Sequence, residues 1–287
     1  MTTVYLNGEW VPLERATVSV LDRGFIFGDG VYEVIPVYGR RPFRLSEHLA
    51  RLQASMDGIR LANPYTADTW TTLVGKLIEQ HEWADQSVYV QVTRGVAPRN
   101  HAFPKDAKPT VFIMTGPLSV PSREERDNGV DAITLNDYRW IRCNIKSTAL
   151  LANCMLKQAA VEAGCAEAIL LRDGFLTEGS STNIFVVKGN VLLAPPKSHL
   201  ILPGITYDVV IELARAHGMP IEVRPVSESE VRSAEELWLS SSSKEVLAIT
   251  RLDGKPVGNG KPGPMYRRMA GYFESSKSTR SAAPAHA

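Results

Sequence analysis

Cysteine is scarce in this chain: there are three, Cys143, Cys154 and Cys165, and no CxxC pair. An odd count without close pairs argues against a disulfide framework and against a zinc site, and it fits a reducing compartment. Net charge is nearly absent, because 32 basic residues almost cancel 31 acidic ones and leave +1. No global field favours nucleic acid or an anionic membrane, so a small molecule is the expected partner. Long apolar runs are missing as well. None approaches the roughly 20 residues of a membrane span, and Met1 to Pro12 carries Asn7, Glu9 and Trp10 where a signal peptide needs an apolar core. A soluble, cytoplasmic protein is expected. No G-x-G-x-x-G follows a strand, and Gly258-Asn259-Gly260-Lys261 lacks the leading glycine spacing of a P-loop, which discounts nucleotide binding.

What is present is 287 residues with 44% hydrophobic content, enough for substantial cores and, at roughly 150 residues per domain, for two domains. Early strands are expected at Val4–Leu6, Val18–Val20 and Val31–Val37, with a turn at Asn7-Gly8. Ser46 opens a helical pattern with Leu49, Leu52, Met56 and Ile59 on one face, and Trp70, Leu73, Val74, Leu77 and Ile78 form a second. Ser87–Arg94 alternates with period two, and Thr110–Thr115 is an apolar run of strand length. The proline- and serine-containing stretch 117–123 is the expected linker, dividing an α+β domain over 1–116 from a second domain over 124–274. The second domain shows a strand at Val130–Leu135, a helix at Ala149–Glu162 ended by Gly164, and hairpins turning at Asp173-Gly174 and Gly189-Asn190. The small, polar tail 275–287 is expected to be disordered. Periodicity alone supports a mixed α and β fold.

Two segments carry the chemistry. Arg139-Trp140-Ile141-Arg142-Cys143-Asn144-Ile145-Lys146-Ser147 ends an apolar–polar alternation on a lysine just before a helical pattern. Leu176-Thr177-Glu178-Gly179-Ser180-Ser181-Thr182-Asn183 sets one carboxylate among small polar residues. Taken alone, a lysine is most often a solvated charge, and Glu178 can be a hairpin-edge carboxylate. Gly204, Ile205 and Thr206 precede the apolar-periodic Val209, Val210 and Leu213, so they lie near a helix N-terminus. By spacing alone Thr206 is an ordinary cap there, and the same N–H groups could hold an anion.

Together these motifs resemble those of the fold-type IV pyridoxal-phosphate enzymes, which include the D-amino acid and branched-chain aminotransferases and aminodeoxychorismate lyase. The resemblance runs from Tyr5 to about Gly263. It implies a two-domain α/β fold with a smaller α+β N-terminal domain and a larger C-terminal domain with a β-barrel-like core. Pyridoxal 5′-phosphate needs a lysine amine to hold it, a carboxylate beside its ring nitrogen and donors for its phosphate. By resemblance Lys146 is the catalytic lysine, and Glu178 keeps the ring nitrogen protonated. Arg51, Gly204, Ile205, Thr206, Ser241 and Ser242 are then phosphate contacts, with Ser180 and Ser181 as further cofactor contacts. Gly24–Glu33 resembles the family's N-terminal active-site strand, with Tyr32 facing the cofactor across from the lysine side. No metal is implied.

Arg99-Asn100-His101, inside Gly95–Pro104, resembles the Arg-x-His loop with which D-amino acid aminotransferases hold the substrate carboxylate, since an arginine fork accepts a planar carboxylate and a histidine adds a donor. Outside the family this is a basic surface loop. The resemblance implies a homodimer that transfers the amino group of D-alanine or a related D-amino acid to 2-oxoglutarate or another 2-oxo acid, with neither nucleic acid nor membrane as a partner. Aminodeoxychorismate lyase, an R-selective amine transaminase or a branched-chain transaminase on the same scaffold is the alternative. A non-catalytic carrier of the cofactor would need no carboxylate clamp. Asn100 and the Ser147-Thr148-Ala149 run fall where relatives vary, so side-chain preference is open.

Overall fold

The computed structural model describes residues 2–278. The chain falls into two compact units, Met1–Ser119 with Asn144–Leu151, and Val120–Cys143 with Ala152 onward. The Asn144–Leu151 segment, and Lys146 with it, therefore packs with the N-terminal unit rather than within a continuous 124–274 domain.

In the first unit the elements are β1 (Thr3–Leu6), β2 (Glu9–Pro12), α1 (Arg23–Phe27), β3 (Gly30–Tyr38), β4 (Arg41–Pro42), α2 (Leu45–Gly58), α3 (Ala67–Glu79), β5 (Gln86–Thr93) and β6 (Thr110–Pro117). The strands make one antiparallel sheet, ordered β2-β1-β6-β5-β3-β4. Period-two alternation puts Val88, Val90 and Val92 of β5 and Ile35 and Val37 of β3 into one core. Leu49, Leu52 and Met56 of α2 and Trp70, Leu73, Val74, Leu77 and Ile78 of α3 complete it.

Two early expectations fail here for local reasons. Val18 and Val20 are exposed and belong to no strand, having no strand to pair with among the described residues. Residues 23–27 are the short helix α1 and not strand: Asp22 caps it by accepting from the Gly24 N–H at 2.8 Å, and Gly28 ends it at φ +65°. The strand begins only at Gly30.

The second unit contains α4 (Arg123–Asn128), β7 (Val130–Asn136), α5 (Leu151–Glu162), β8 (Glu167–Arg172), β9 (Phe175–Gly179), β10 (Asn183–Lys188), β11 (Val191–Ala194), α6 (Ile205–Ala216), β12 (Ile221–Val223), α7 (Glu228–Arg232), β13 (Glu236–Ser241), β14 (Glu245–Leu252), β15 (Lys255–Pro256) and α8 (Pro264–Ser278). Its sheet runs β12-β11-β10-β13-β14-β7-β8-β9, with β15 beside β14. β9 and β10 lie five positions apart in that order yet are joined through residues 180–182 alone. Five strand spacings in a flat sheet cover about 24 Å, whereas that link reaches at most about 14 Å. The sheet must therefore curl back on itself, which gives the barrel-like core its shape. Val186, Leu237, Leu239, Leu247 and Ile249 fill it. Ser275–Ser278, expected to begin a disordered tail, instead close α8. The rest of that tail lies outside the described residues.

Candidate active site

Lys146 sits on irregular backbone held at several points. Its N–H donates to the Ser55 hydroxyl at 3.1 Å, its carbonyl accepts from the Tyr32 N–H at 3.0 Å, and Ser147 bridges to Val31. The apolar–polar alternation of 139–147 thus makes no strand of its own. The half-buried Lys146 ammonium lies 4.1 Å from the centroid of the Tyr32 ring, a cation–π contact that fixes the amine without neutralising it. Tyr32 in turn stacks on Tyr89 at 5.6 Å.

Arg51, expected on a helix, lies on α2 and points inward. Its Nε and Nη2 donate to Glu33 at 2.7 and 2.8 Å, and His48 Nδ1 pairs with the same carboxylate at 2.8 Å. Burial alone would raise the Glu33 carboxyl, but the arginine and histidine outweigh it and hold it well below the usual carboxylate range. Burial also lowers His48, only partly offset by Glu33.

In the second unit Glu178 owes its direction to a bulge. β8 and β9 pair at Leu171–Leu176 and Ile169–Gly179, so β9 carries one extra residue between those points. The bulge lets Thr177 and Glu178, adjacent in sequence, both engage one buried cluster. Thr177 donates to Asp137 at 2.8 Å, and Glu178 Oε1 accepts from Arg139 Nη1 at 2.5 Å. Arg139 also forks onto Asp137, through Nε and Nη2 at 2.9 Å each. Asn183 Nδ2 and the Leu202 N–H donate to Glu178 Oε2 at 3.1 and 3.0 Å. Burial pushes the Glu178 carboxyl up to about 7, because Arg139 is shared with Asp137 and compensates only in part. Asp137, gripped on two edges, stays below the ordinary range despite its burial.

Ser180, Ser181 and Thr182 follow in a tight turn that Glu167 organises. Its carboxylate accepts from the Ser180 N–H at 3.1 Å and from the Thr182 hydroxyl at 2.9 Å, and also from the hydroxyls of Ser180 and Ser181. The two serines are thus committed to Glu167 within this structure.

Gly204 caps α6, with Ile205 and Thr206 as its first two residues, and no side chain of the capping residue closes the helix end. Thr206 is inside the helix and is not its cap. The first N–H groups of a helix have no intrahelical acceptor, so this end suits an anion. A Cβ at Gly204 would come 2.0 Å from Asn183 Oδ1, so any larger residue here must displace that amide. Ser241 accepts from the Lys244 N–H at 3.0 Å, and Ser242 lies in the turn after β13. Their neighbour Ser240, opposite Asn183 in the sheet, has a buried hydroxyl with no hydrogen-bond partner among the described residues.

Arg99 and His101 are exposed, on a loop without regular structure. Phe27 meets both, 5.4 Å from the His101 ring and 5.5 Å from the Arg99 guanidinium carbon. Sequence reasoning singled out neither the Asp137–Arg139 support of Glu178 nor the Glu33–His48 support of Arg51. Arg139 opened the segment that drew attention to Lys146, but only the folded sheet brings it to Glu178.

The family model for class IV amino-transferases matches residues 30–252. D-alanine aminotransferase of Bacillus licheniformis is 40% identical over 273 residues, covering 95% of this chain and 96% of that one. D-alanine aminotransferase of Staphylococcus aureus strain MW2 is 38% identical over 275 residues, covering 96% and 97%. Among solved structures, the branched-chain amino acid aminotransferase of Escherichia coli superposes with a TM-score of 0.91 at 25% identity, covering 98% of this chain and 97% of that one. The branched-chain aminotransferase of the archaeon Thermoproteus uzoniensis with norvaline gives 0.88 at 27% identity, covering 98% and 96%.

Proposed function

Because the chain belongs to the class IV aminotransferase family, we propose that it is a pyridoxal 5′-phosphate-dependent D-amino acid transaminase acting on D-alanine and related D-amino acids, with a 2-oxo acid such as 2-oxoglutarate as acceptor. The observation that carries this reading is the similarity to D-alanine aminotransferases along nearly the whole chain. The branched-chain enzymes share the fold at distinctly lower identity, which ranks that activity second.

The residues fit the cofactor. A carboxyl raised to about 7 by burial is one that a cationic ring nitrogen would return to its charged form. The end of α6 and the unpartnered Ser240 hydroxyl supply donors suited to a phosphate. When bound, pyridoxal 5′-phosphate supplies a carbon that takes the amino group and a ring that withdraws electrons from the substrate Cα.

The rest falls to side chains. Lys146 Nζ would hold the cofactor covalently until the substrate amine takes its place, and the freed lysine amine would then move a proton from the substrate Cα to the carbon that takes the amino group. Tyr32 orients that amine through its ring face. Glu178 holds positive charge at the ring nitrogen, Arg139 and Asn183 fix its two oxygens, and Arg51 is assigned to the phosphate. Ser241 and Ser242 are further phosphate contacts in this reading, whereas Ser180 and Ser181 act by shaping the turn after Glu178. Arg99 and His101 bind the substrate carboxylate.

A homodimer in the cytoplasm goes with this reading. Supporting the dimer are Val20, Leu21, Phe25 and Val96, large apolar side chains left exposed around the Asp22–Val96 pairing. Among the described residues no helix is long and apolar enough to cross a membrane. The test is the visible spectrum of the holoenzyme with D-alanine and, separately, with L-leucine, in the absence of an oxo acid. Conversion to the pyridoxamine form with stoichiometric pyruvate from D-alanine supports the reading; conversion by L-leucine alone moves it to the branched-chain activity.

A further inference from the structure

The segment between β5 and β6 carries Arg99 and His101, yet it has neither helix nor strand to stiffen it. What orders it is a buried guanidinium. Arg23, 3% exposed at the start of α1, sends Nη1 to the Asn100 carbonyl at 2.5 Å and to the Ala102 carbonyl at 3.4 Å, and Nη2 to the His101 carbonyl at 3.4 Å. Three successive carbonyls thus converge on one cation. The Arg23 Nε donates to Asp29 Oδ2 at 2.7 Å, and the Arg94 Nε donates to the same oxygen at 2.8 Å.

Two buried guanidiniums on one carboxylate leave an excess positive charge, and a buried charge must be met by dipoles. Arg94 meets its share with the carbonyls of Ile59 and Arg60, at 2.7 and 3.1 Å, and with the Phe103 ring, 3.7 Å from its guanidinium carbon to the centroid. Arg23 meets its share with the loop's own backbone and, less closely, the rings of Phe27 and Phe103 at 4.7 and 5.9 Å. The base of the loop is equally constrained: Gly95, at φ +88°, has no room for a Cβ, which would lie 1.8 Å from the Lys108 carbonyl oxygen.

We propose that Arg23 is a positioning residue for the substrate carboxylate: anchored by Asp29, its fork gathers the carbonyls of Asn100, His101 and Ala102 and so fixes the directions in which Arg99 and His101 point. The proposal rests on the reading that Arg99 and His101 bind that carboxylate. A planar fork can hold three carbonyls at defined angles and an ammonium cannot, so lysine does not replace it. Arg23 touches no reacting atom. It sets affinity for the carboxylate and leaves the proton transfers at Lys146 alone.

The test uses steady-state kinetics of the holoenzyme with D-alanine for Arg23→Met, Arg23→Lys, Arg99→Ala and the Arg23→Met/Arg99→Ala double variant, with cofactor content checked by absorbance. Arg23→Met is expected to raise KM roughly tenfold to a hundredfold, with kcat within about twofold and cofactor retained. Arg23→Lys should recover little of this, and the double variant should exceed Arg99→Ala by far less than the product of the two effects, because only the His101 contribution is then left for Arg23 to position. The proposal is overturned if Arg99→Ala raises KM while Arg23→Met does not, if Arg23→Met lowers kcat and cofactor content instead, or if the two effects multiply. An unchanged KM in Arg99→Ala overturns the carboxylate reading itself, whatever Arg23 does. Should Arg23→Met fail to fold, Phe103→Ala loosens the same loop from its exposed side. A several-fold rise in KM at constant kcat then supports the clamp, and an unchanged KM overturns it.

Discussion

Arg139 donates to Glu178 Oε1 at 2.5 Å while two other nitrogens of the same guanidinium hold Asp137. One arginine therefore serves two buried carboxylates, and removing it leaves both uncompensated. Arg139→Met should cost about 3–5 kcal/mol, read as a lower urea midpoint. The isosteric Glu178→Gln should fold normally and keep its cofactor while losing D-alanine turnover by about a hundredfold or more, the scale of a lost charge-stabilising contact.

The two buried glutamates should titrate in opposite senses. Glu178 is raised to about 7, so the folded state binds the extra proton. That stability is complete below the ordinary glutamate range and is lost as pH rises towards 7. In cofactor-stripped protein this amounts to about 3 kcal/mol between pH 4 and 8, and it should vanish in Glu178→Gln. Glu33 is depressed, so its stabilisation holds above the ordinary glutamate range and is lost as pH falls below it. Denaturation midpoints across pH for wild type, Glu178→Gln and Glu33→Gln check both signs.

Lys146→Ala should abolish turnover, a loss of at least about a thousandfold in kcat on the scale of general acid–base catalysis. Borohydride treatment of wild-type holoenzyme should fix cofactor mass on the peptide containing Lys146. A label on any other lysine would remove Lys146 from its assigned role.

Gly204→Ala pushes a methyl group into Asn183 Oδ1 at 2.0 Å, and Asn183 donates to Glu178. Disturbing both the α6 end and that hydrogen bond should weaken retention of the cofactor about tenfold, measured by equilibrium dialysis, with little change in the far-ultraviolet spectrum.

Glu236 is a structural counterpart to these. Its carboxylate, 7% exposed, accepts from the N–H groups of Met265 and Tyr266 at the start of α8 and from Trp238 Nε1, at 3.0, 2.8 and 2.9 Å. Glu236→Ala strands three buried donors and removes a negative charge from the helix N-terminus. About 3 kcal/mol of stability should go, with turnover per folded molecule preserved.

Local patterns determined the longer elements of the first unit and the first hairpins of the second. The apolar faces of α2 and α3, the strand over Val31–Val37, the alternation in β5, and the turns at Asp173-Gly174 and Gly189-Asn190 follow from local rules, and the structure agrees at each. Short segments misled because strand propensity without a partner makes no strand, as Val18 and Val20 show, and because a cap such as Asp22 outweighs the apolar run after it. Motifs pointed to the candidate chemistry through their resemblance to a known family, which singled out Lys146 and Glu178. What surrounds those groups was decided only in three dimensions. Arg139 lies thirty-nine positions from Glu178 and Arg23 seventy-seven from Asn100. Electrostatic partners of a buried charge are chosen by distance in space, which local sequence patterns do not encode.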